Sequence, residues 1–245
     1  PAAELLLEYL LVVKRLGQLA DGKNGWLKLV KNGRIHGRVN TNGAVTGRCT
    51  HSSPNLAQVP AGRVPYGEEC RSLFIAKSGY KLVGCDASGL ELRMLAHYLA
   101  NWDGGEYARN ILEGDIHTVN QKAAGLKTRD QAKTFIYGFL YGAGDGKIGE
   151  IVGGSLKEGK ILKMKFLSNL PALKILKKGI EQKVTRSKRL VGIDGRILPI
   201  RSPHSALNML LQSAGAVVMK VALIKLYSKL QSLEWQHGRD YSFVG

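Results

Sequence analysis

Arg129, Lys133, Tyr137 and Tyr141 recur at every fourth residue in the stretch TRDQAKTFIYGFLYG. A four-residue step advances only about 40° around an α-helix, so the four side chains share one broad face. That face carries two cations and then two aromatic rings, each ring followed by a glycine, Gly138 and Gly142. Cations neutralise a triphosphate, a ring stacks on a base or sugar, and glycine lets a large planar ligand approach the helix. An exposed basic helix with two packed tyrosines would carry the same letters, so the rest of the chain must decide between the two.

Other residues bear on the same chemistry. The segment YKLVGC, Tyr80 to Cys85, reads as a short buried strand, and Asp86 stands where it gives way to a helix. A carboxylate there can hold a divalent ion, with the Ala87 carbonyl as a second oxygen ligand; magnesium suits such sparse ligation because substrate phosphates complete its shell. A turn aspartate that caps the helix is the plain alternative. Ser88-x-x-Glu91 has the spacing of a capping box, and Glu91 also stands where it could wall a nucleotide sugar. His117, in GDIHT, is a candidate phosphate donor just before the basic helix. Arg48 lies in TGRCTHSSPNLAQVP. Asn208 and Gln212, four apart, form a polar stripe on an otherwise apolar helix. Amides in such a stripe could bond minor-groove acceptors, which are nearly the same for every base pair, or be satisfied by a neighbouring loop. The run GAGDGKIGEIVGG follows a helix rather than a strand and has Ile148 where a phosphate loop needs Ser or Thr, so it reads as a flexible loop.

These residues need a scaffold, and the chain has the means to build one. Its 245 residues are 44% hydrophobic, enough for one large domain or two lobes. A formal net charge of +17 and a pI near 9.9 suit a polyanionic partner better than a small neutral substrate. Charge alone does not separate nucleic acid from an anionic membrane. No apolar run is expected to span a bilayer, since Lys220 and Lys225 interrupt Ala214–Tyr227, and no secretory signal is read. Cys49, Cys70 and Cys85 are scattered without CxxC spacing, which points to reduced thiols in a cytosol and away from a zinc site. Helical periodicity is expected from Ala2 to Ala20, stopped at Asp21-Gly22. Short strands follow from Trp26 to Gly47 with Asn42-Gly43 as a hairpin signal. Residues 101–190 read as mostly helical with loops at Trp102–Gly105 and Gly142–Gly154. A hairpin is expected over Val191–Ile200, turning at Asp194-Gly195, and a long apolar helix from Ser205 to about Leu233. The class is α+β, a small sheet with a large helical insertion.

Taken in order, these segments resemble family A DNA polymerases, the DNA polymerase I type, and most closely the replicative polymerases of T-odd-like podophages. DASGLELR (Asp86 to Arg93) is similar to the family's motif A, and R-x-x-x-K-x-x-x-Y-x-x-x-Y-G (Arg129 to Gly142) to its fingers-helix motif B. GRCTHSSPNLAQ (Gly47 to Gln58) and RSPHSALNMLLQSAGA (Arg201 to Ala216) resemble the segments that hold primer–template. The resemblance implies a right-hand palm with a small antiparallel sheet and a large helical fingers insertion. Residues 1–28 would end the thumb, 29–98 form the first part of the palm, 99–206 the fingers and 207–245 the second part of the palm. It further implies that Asp86 binds two Mg2+ ions, with the Ala87 carbonyl assisting. Arg129, Lys133 and His117 would hold the triphosphate of a dNTP, with Lys133 helping the pyrophosphate leave. Tyr137 would flank the sugar, with Glu91 as its partner in excluding a ribose 2′-hydroxyl. Tyr141 would lie near the templating base, and Arg48, Asn208 and Gln212 along the primer–template duplex. The implied partners are DNA and dNTPs, with no membrane, in the cytoplasm (the host's, if phage-encoded). A thioredoxin-type processivity factor would serve the full-length parent alone.

The sequence also departs from the family pattern. It opens on Pro1 and closes on Tyr241–Gly245, which reads as the beginning of a strand, so a fragment is expected. The family's second catalytic aspartate belongs to a His-Asp-Glu hairpin that this chain lacks, and neither Asp194 nor Asp240 is well placed to replace it. The isolated chain is therefore expected to be catalytically weak or inert. A non-catalytic primer–template-binding fragment, or one subunit of a split polymerase, stands as the alternative. A single-subunit RNA polymerase shares the R-x-x-x-K…Y-G helix, but a carboxylate at Glu91 counts against a ribonucleotide.

Overall fold

The structure, a computed structural model, describes residues 1–244. The chain divides into two units, one made of residues 1–44, 49–86 and the stretch from Leu233, the other of residues 45–48 and 87–232. The first unit opens on α1 (Ala2–Leu16), which runs on as a π-helical turn to Asp21 before Gly22 leaves the helix, as its periodicity predicts. Trp26 is buried edge-on against Phe74, with ring centroids 5.1 Å apart.

Two small hairpins follow. β1 (Val30–Lys31) pairs with β2 (Arg34–Ile35) across Asn32-Gly33, whose φ angles of 51° and 71° are those a two-residue hairpin turn demands. β3 (Arg38–Asn40) pairs antiparallel with β4 (Thr50–Ser52), Val39 facing His51. That register leaves Asn42-Gly43, the expected hairpin signal, inside the long connection 41–49. The dipeptide that makes the tight turn is the earlier one. α2 (Gly67–Ser72) buries Cys70, and an apolar cavity of about 350 Å³ opens beside Val12, Leu16, Leu19, Cys70 and Leu73.

Tyr80–Cys85 is not the buried strand that its composition suggests. Leu82 and Val83 are 60% and 90% exposed, and no strand pairs with the segment among the described residues. A strand exists only where a neighbour takes its ladder hydrogen bonds, and apolar alternation does not supply one. Asp86 therefore follows an extended, exposed segment instead of a strand end. Tyr241 likewise makes only an isolated bridge to His237, and the rest of the strand expected there up to Val244 does not form; Gly245 lies outside the described residues.

The second unit is helical. It comprises α3 (Leu90–Asp103), α4 (Glu106–Glu113), α5 (Ile116–Ala124), α6 (Arg129–Leu140), α7 (Asp145–Ile151), α8 (Leu156–Asn169), α9 (Pro171–Ser187), the hairpin β5 (Arg189–Val191) and β6 (Ile197–Pro199), and α10 (Ala206–Ser232). Their apolar faces converge on one core. Phe166 of α8 meets Phe135 and Phe139 of α6 edge-on at 5.0 and 5.3 Å, contacts worth about 0.5–1.5 kcal/mol each beyond the area they bury. The hairpin turns at Asp194-Gly195 as expected, with Leu190 opposite Leu198. With three two-stranded antiparallel sheets and ten helices among the described residues, the class is α+β.

Two expectations are corrected here. The run GAGDGKIGEIVGG is not a flexible loop, because its centre is α7, with Ile148 fully buried. A Cβ on Gly149 or Gly159 would strike the backbone of Ser155 or Asp145, so glycine is what allows α7 and α8 to pack this closely. Lys163 adds an ion pair to Asp145 at 2.9 Å. The second correction concerns α10. The helical stretch Pro203–Ser232, with mean hydropathy 1.6, is long and apolar enough to cross a membrane by length and composition, despite Lys220 and Lys225. Core helices pass the same test, and Ala206, Leu207, Leu210, Leu211 and Ala214 do lie in the core of this unit.

Candidate functional site

The basic, aromatic face of α6 is built by a local cap and a buried opposite side. Thr128 precedes the helix, its hydroxyl accepting from the Gln131 amide (3.1 Å) while the Gln131 side chain accepts from the Thr128 amide (3.3 Å). This capping box satisfies two donors that the first turn leaves open. Ala132, Phe135, Ile136, Phe139 and Leu140 turn into the core. Arg129 and Lys133 are thereby left exposed and Tyr137 half-buried, with Tyr141 closing the helix as its C-cap. The rings of Tyr137 and Tyr141 stand 6.3 Å apart, tilted by 33°. Thr128→Ala is expected to destabilise the protein by about 1 kcal/mol, the usual worth of an N-cap, measurable by equilibrium denaturation.

The two glycines of this stretch differ in what surrounds them. A Cβ on Gly138 would lie 3.4 Å from the Ile148 side chain, an ordinary contact, so the packing of α7 does not itself demand glycine there. Gly142 has φ +79° and its missing Cβ makes room for the His204 carbonyl, so it ends the helix and seats the chain before α10.

α5 brings His117 beside this face. Asp115 caps the helix, accepting from the His117 amide (3.0 Å) and the Thr118 hydroxyl (2.9 Å). The same carboxylate takes both Nε and Nη2 of Arg129, at 2.6 and 3.2 Å. The Arg129 guanidinium holds the Asp115 carboxyl well below the usual carboxylate range, and the Arg129 pKa moves up in return. Burial and then the charge of Arg129 push the His117 imidazole below its ordinary value; the Asp115 carboxylate opposes this and the charge of Lys133 adds to it. Its Nδ1 is buried without a partner. Lys133 has no ion-pair partner among the described residues. Asp115 is not among the residues that spacing singles out, although an acid at the N-cap position of D-I-H-T was the available signal. Beneath this layer, fully buried Asn120 accepts from the Tyr107 hydroxyl at 3.1 Å, and burial raises that phenol.

The start of α3 differs from its expected form. No capping box forms between Ser88 and Glu91; Gly89, at φ 61°, is the N-cap, and the Ser88 carbonyl accepts from Arg93. Glu91 instead accepts a long hydrogen bond, 3.4 Å, from the Tyr141 hydroxyl. Burial and the Glu91 carboxylate raise the Tyr141 phenol, while the charge of Arg48 opposes them, which puts all three groups within electrostatic reach of one another. Asn208 and Gln212 are half-buried on α10, and their side chains make no protein hydrogen bond among the described residues. The second unit thus carries Arg48, Glu91, His117, Arg129, Lys133, Tyr137, Tyr141, Asn208 and Gln212, together with Ala87.

Asp86 belongs to the first unit. Its exposed carboxylate has no protein partner among the described residues, so both oxygens are open to a hard cation, and an acid with a neighbouring carbonyl fits magnesium. Among the described residues no group of three or more His, Cys, Asp or Glu side chains gathers as metal ligands.

Comparison with known proteins places this geometry in a lineage. The family model "DNA polymerase family A" matches residues 1–238. The chain is 52% identical to the DNA-directed DNA polymerase of Escherichia phage T7, with 99% of this chain and 38% of that protein aligned. The corresponding enzyme of Enterobacteria phage T3 matches at the same identity and coverage. The thermostable DNA polymerase I of Thermus aquaticus is 29% identical over 95% of this chain and 30% of its own length. Among solved structures, the POL domain of Pol1 from M. smegmatis, in complex with DNA primer-template and dNTP, superposes with a TM-score of 0.76 at 23% identity. It covers 93% of this chain and 44% of that one, and so shares the fold. The chain spans less than two fifths of the length of its phage relatives, and within that span it belongs to DNA polymerase family A.

Proposed function

We propose that this chain takes part in template-directed DNA synthesis, contributing residues to the transfer of a nucleotide from a dNTP to a primer 3′-hydroxyl by a two-metal mechanism. The observation that carries the reading is the exposed face of α6, where Arg129 and Lys133 share one helix face with two aromatic rings and His117 of α5 lies within electrostatic reach of both cations. Arg129 and Lys133 supply charge to a triphosphate, and His117 donates an N–H. Lys133, without an ion-pair partner among the described residues, is the group best able to steady the departing pyrophosphate. Tyr137 lies against the sugar, Tyr141 near the templating base, and Arg48, Asn208 and Gln212 follow the duplex. Asp86 and the Ala87 carbonyl would hold Mg2+, which when bound lowers the pKa of a coordinated hydroxyl and neutralises phosphate charge. Residues 1–28 serve as the end of the thumb, 29–98 and 207–245 as palm and 99–206 as fingers, in the cytoplasm of a host cell.

Glu91 sets the sugar preference in this reading, since a carboxylate beside the ring disfavours an added 2′-hydroxyl. With primer–template DNA and Mg2+, the complex is expected to bind the templated dNTP about tenfold or more tighter than the matching ribonucleotide, the scale of one unpaired polar group. Glu91→Ala should narrow that gap. Equal binding of the two nucleotides by the unaltered chain would sink the reading. Binding without incorporation would leave the non-catalytic primer–template role in its place.

A further inference from the structure

The Asp115 carboxylate takes four hydrogen bonds from two helices. On its own helix it accepts from the His117 amide and the Thr118 hydroxyl, and across to α6 it accepts from Nε and Nη2 of Arg129. This two-toothed grip fixes the plane of the guanidinium. It leaves three of the five arginine donors without a protein partner among the described residues. The pair is not there chiefly for stability: its side chains are 40% and 52% exposed, and exposed pairs contribute little. An acid beside a triphosphate site is also a poor choice by charge alone, because it cancels one of the two formal positive charges on the α6 face. Both objections vanish if the acid's task is orientation.

We infer that Asp115 is the positioning residue of this anion site, locking the Arg129 guanidinium to the helix that carries His117 so that both face a polyphosphate in register. The inference rests on the nucleotide reading above only for the identity of the anion. Asp115 works through Arg129 and does not itself touch the ligand. Charge and positioning make opposite predictions for Asp115→Asn. The amide keeps the helix cap, since asparagine caps about as well as aspartate, but it loses the charged fork. Removing a negative charge should tighten anion binding; loosening Arg129 should weaken it.

The test uses the 245-residue chain with inorganic tripolyphosphate as the probe, followed by calorimetry, and circular dichroism as the folding control. Asp115→Asn is expected to weaken tripolyphosphate binding about tenfold, the low end of what a charge-assisted hydrogen bond is worth. In an Arg129→Lys background, where no two-toothed grip can form, the same change should have little further effect. That dependence is a readout a merely structural cap would not produce. Unchanged or tighter binding by Asp115→Asn, equal losses in both backgrounds, or no tripolyphosphate binding by the unaltered chain would each overturn the inference. A dNTP that binds no better than tripolyphosphate would instead sink the nucleotide reading and leave this one standing.

Discussion

Raising salt from 50 to 200 mM should weaken binding of a primer–template duplex by about 10³–10⁵-fold, if the chain neutralises roughly 6–10 phosphates. The expectation follows from a net charge of +17, in which 36 Lys and Arg outnumber 19 Asp and Glu. Among the described residues ion pairs engage Arg129, Lys147, Lys163, Lys177, Arg196 and Arg239, and most of the 36 basic side chains remain outside them. Each phosphate contact releases condensed counterions, so the logarithm of the affinity falls linearly with the logarithm of salt concentration. A fluorescence-anisotropy titration with duplex at several salt concentrations measures the slope directly. A flat response would show that the charge serves something other than nucleic acid.

Lys133→Ala should weaken dNTP capture by about 10- to 150-fold while leaving duplex binding nearly unchanged. Lys133 is the exposed cation of the α6 face that no carboxylate claims among the described residues, whereas Arg129 is held by Asp115. Its charge also reaches His117 and helps to push that imidazole below its ordinary value. A phosphate group arriving there gains a full positive charge with no ion pair to break first, so truncation removes a charge-assisted contact outright. The control is the salt slope for DNA. A lysine that contacts the duplex would lower that slope by about one when removed, whereas a lysine on the nucleotide would not. Equal losses of dNTP and duplex binding would move Lys133 to the DNA.

The sequence alone determined what can be computed along a helix. Four residues at a constant step must share a face wherever an α-helix forms, and the apolar residues between them turn that face outward. Arg129, Lys133, Tyr137 and Tyr141 were legible for this reason, as were α10, the hairpin at Asp194-Gly195 and the α+β class. The partners decided the rest. Tyr80–Cys85 has the composition of a strand but no neighbour to pair with among the described residues. Gly142, Gly149 and Gly159 look alike in a string of letters, and only packing shows which backbone each allows to come close. Ser88 and Glu91 had the spacing of a cap, yet Gly89 begins the helix and Glu91 turns to a hydroxyl fifty residues on. The Asp115–Arg129 grip is of the same kind, because an ion pair between two helices is set by how those helices dock. Periodicity is a local property of the chain; pairing, close approach and charge contact belong to the assembled fold, and they emerge only when distant segments meet.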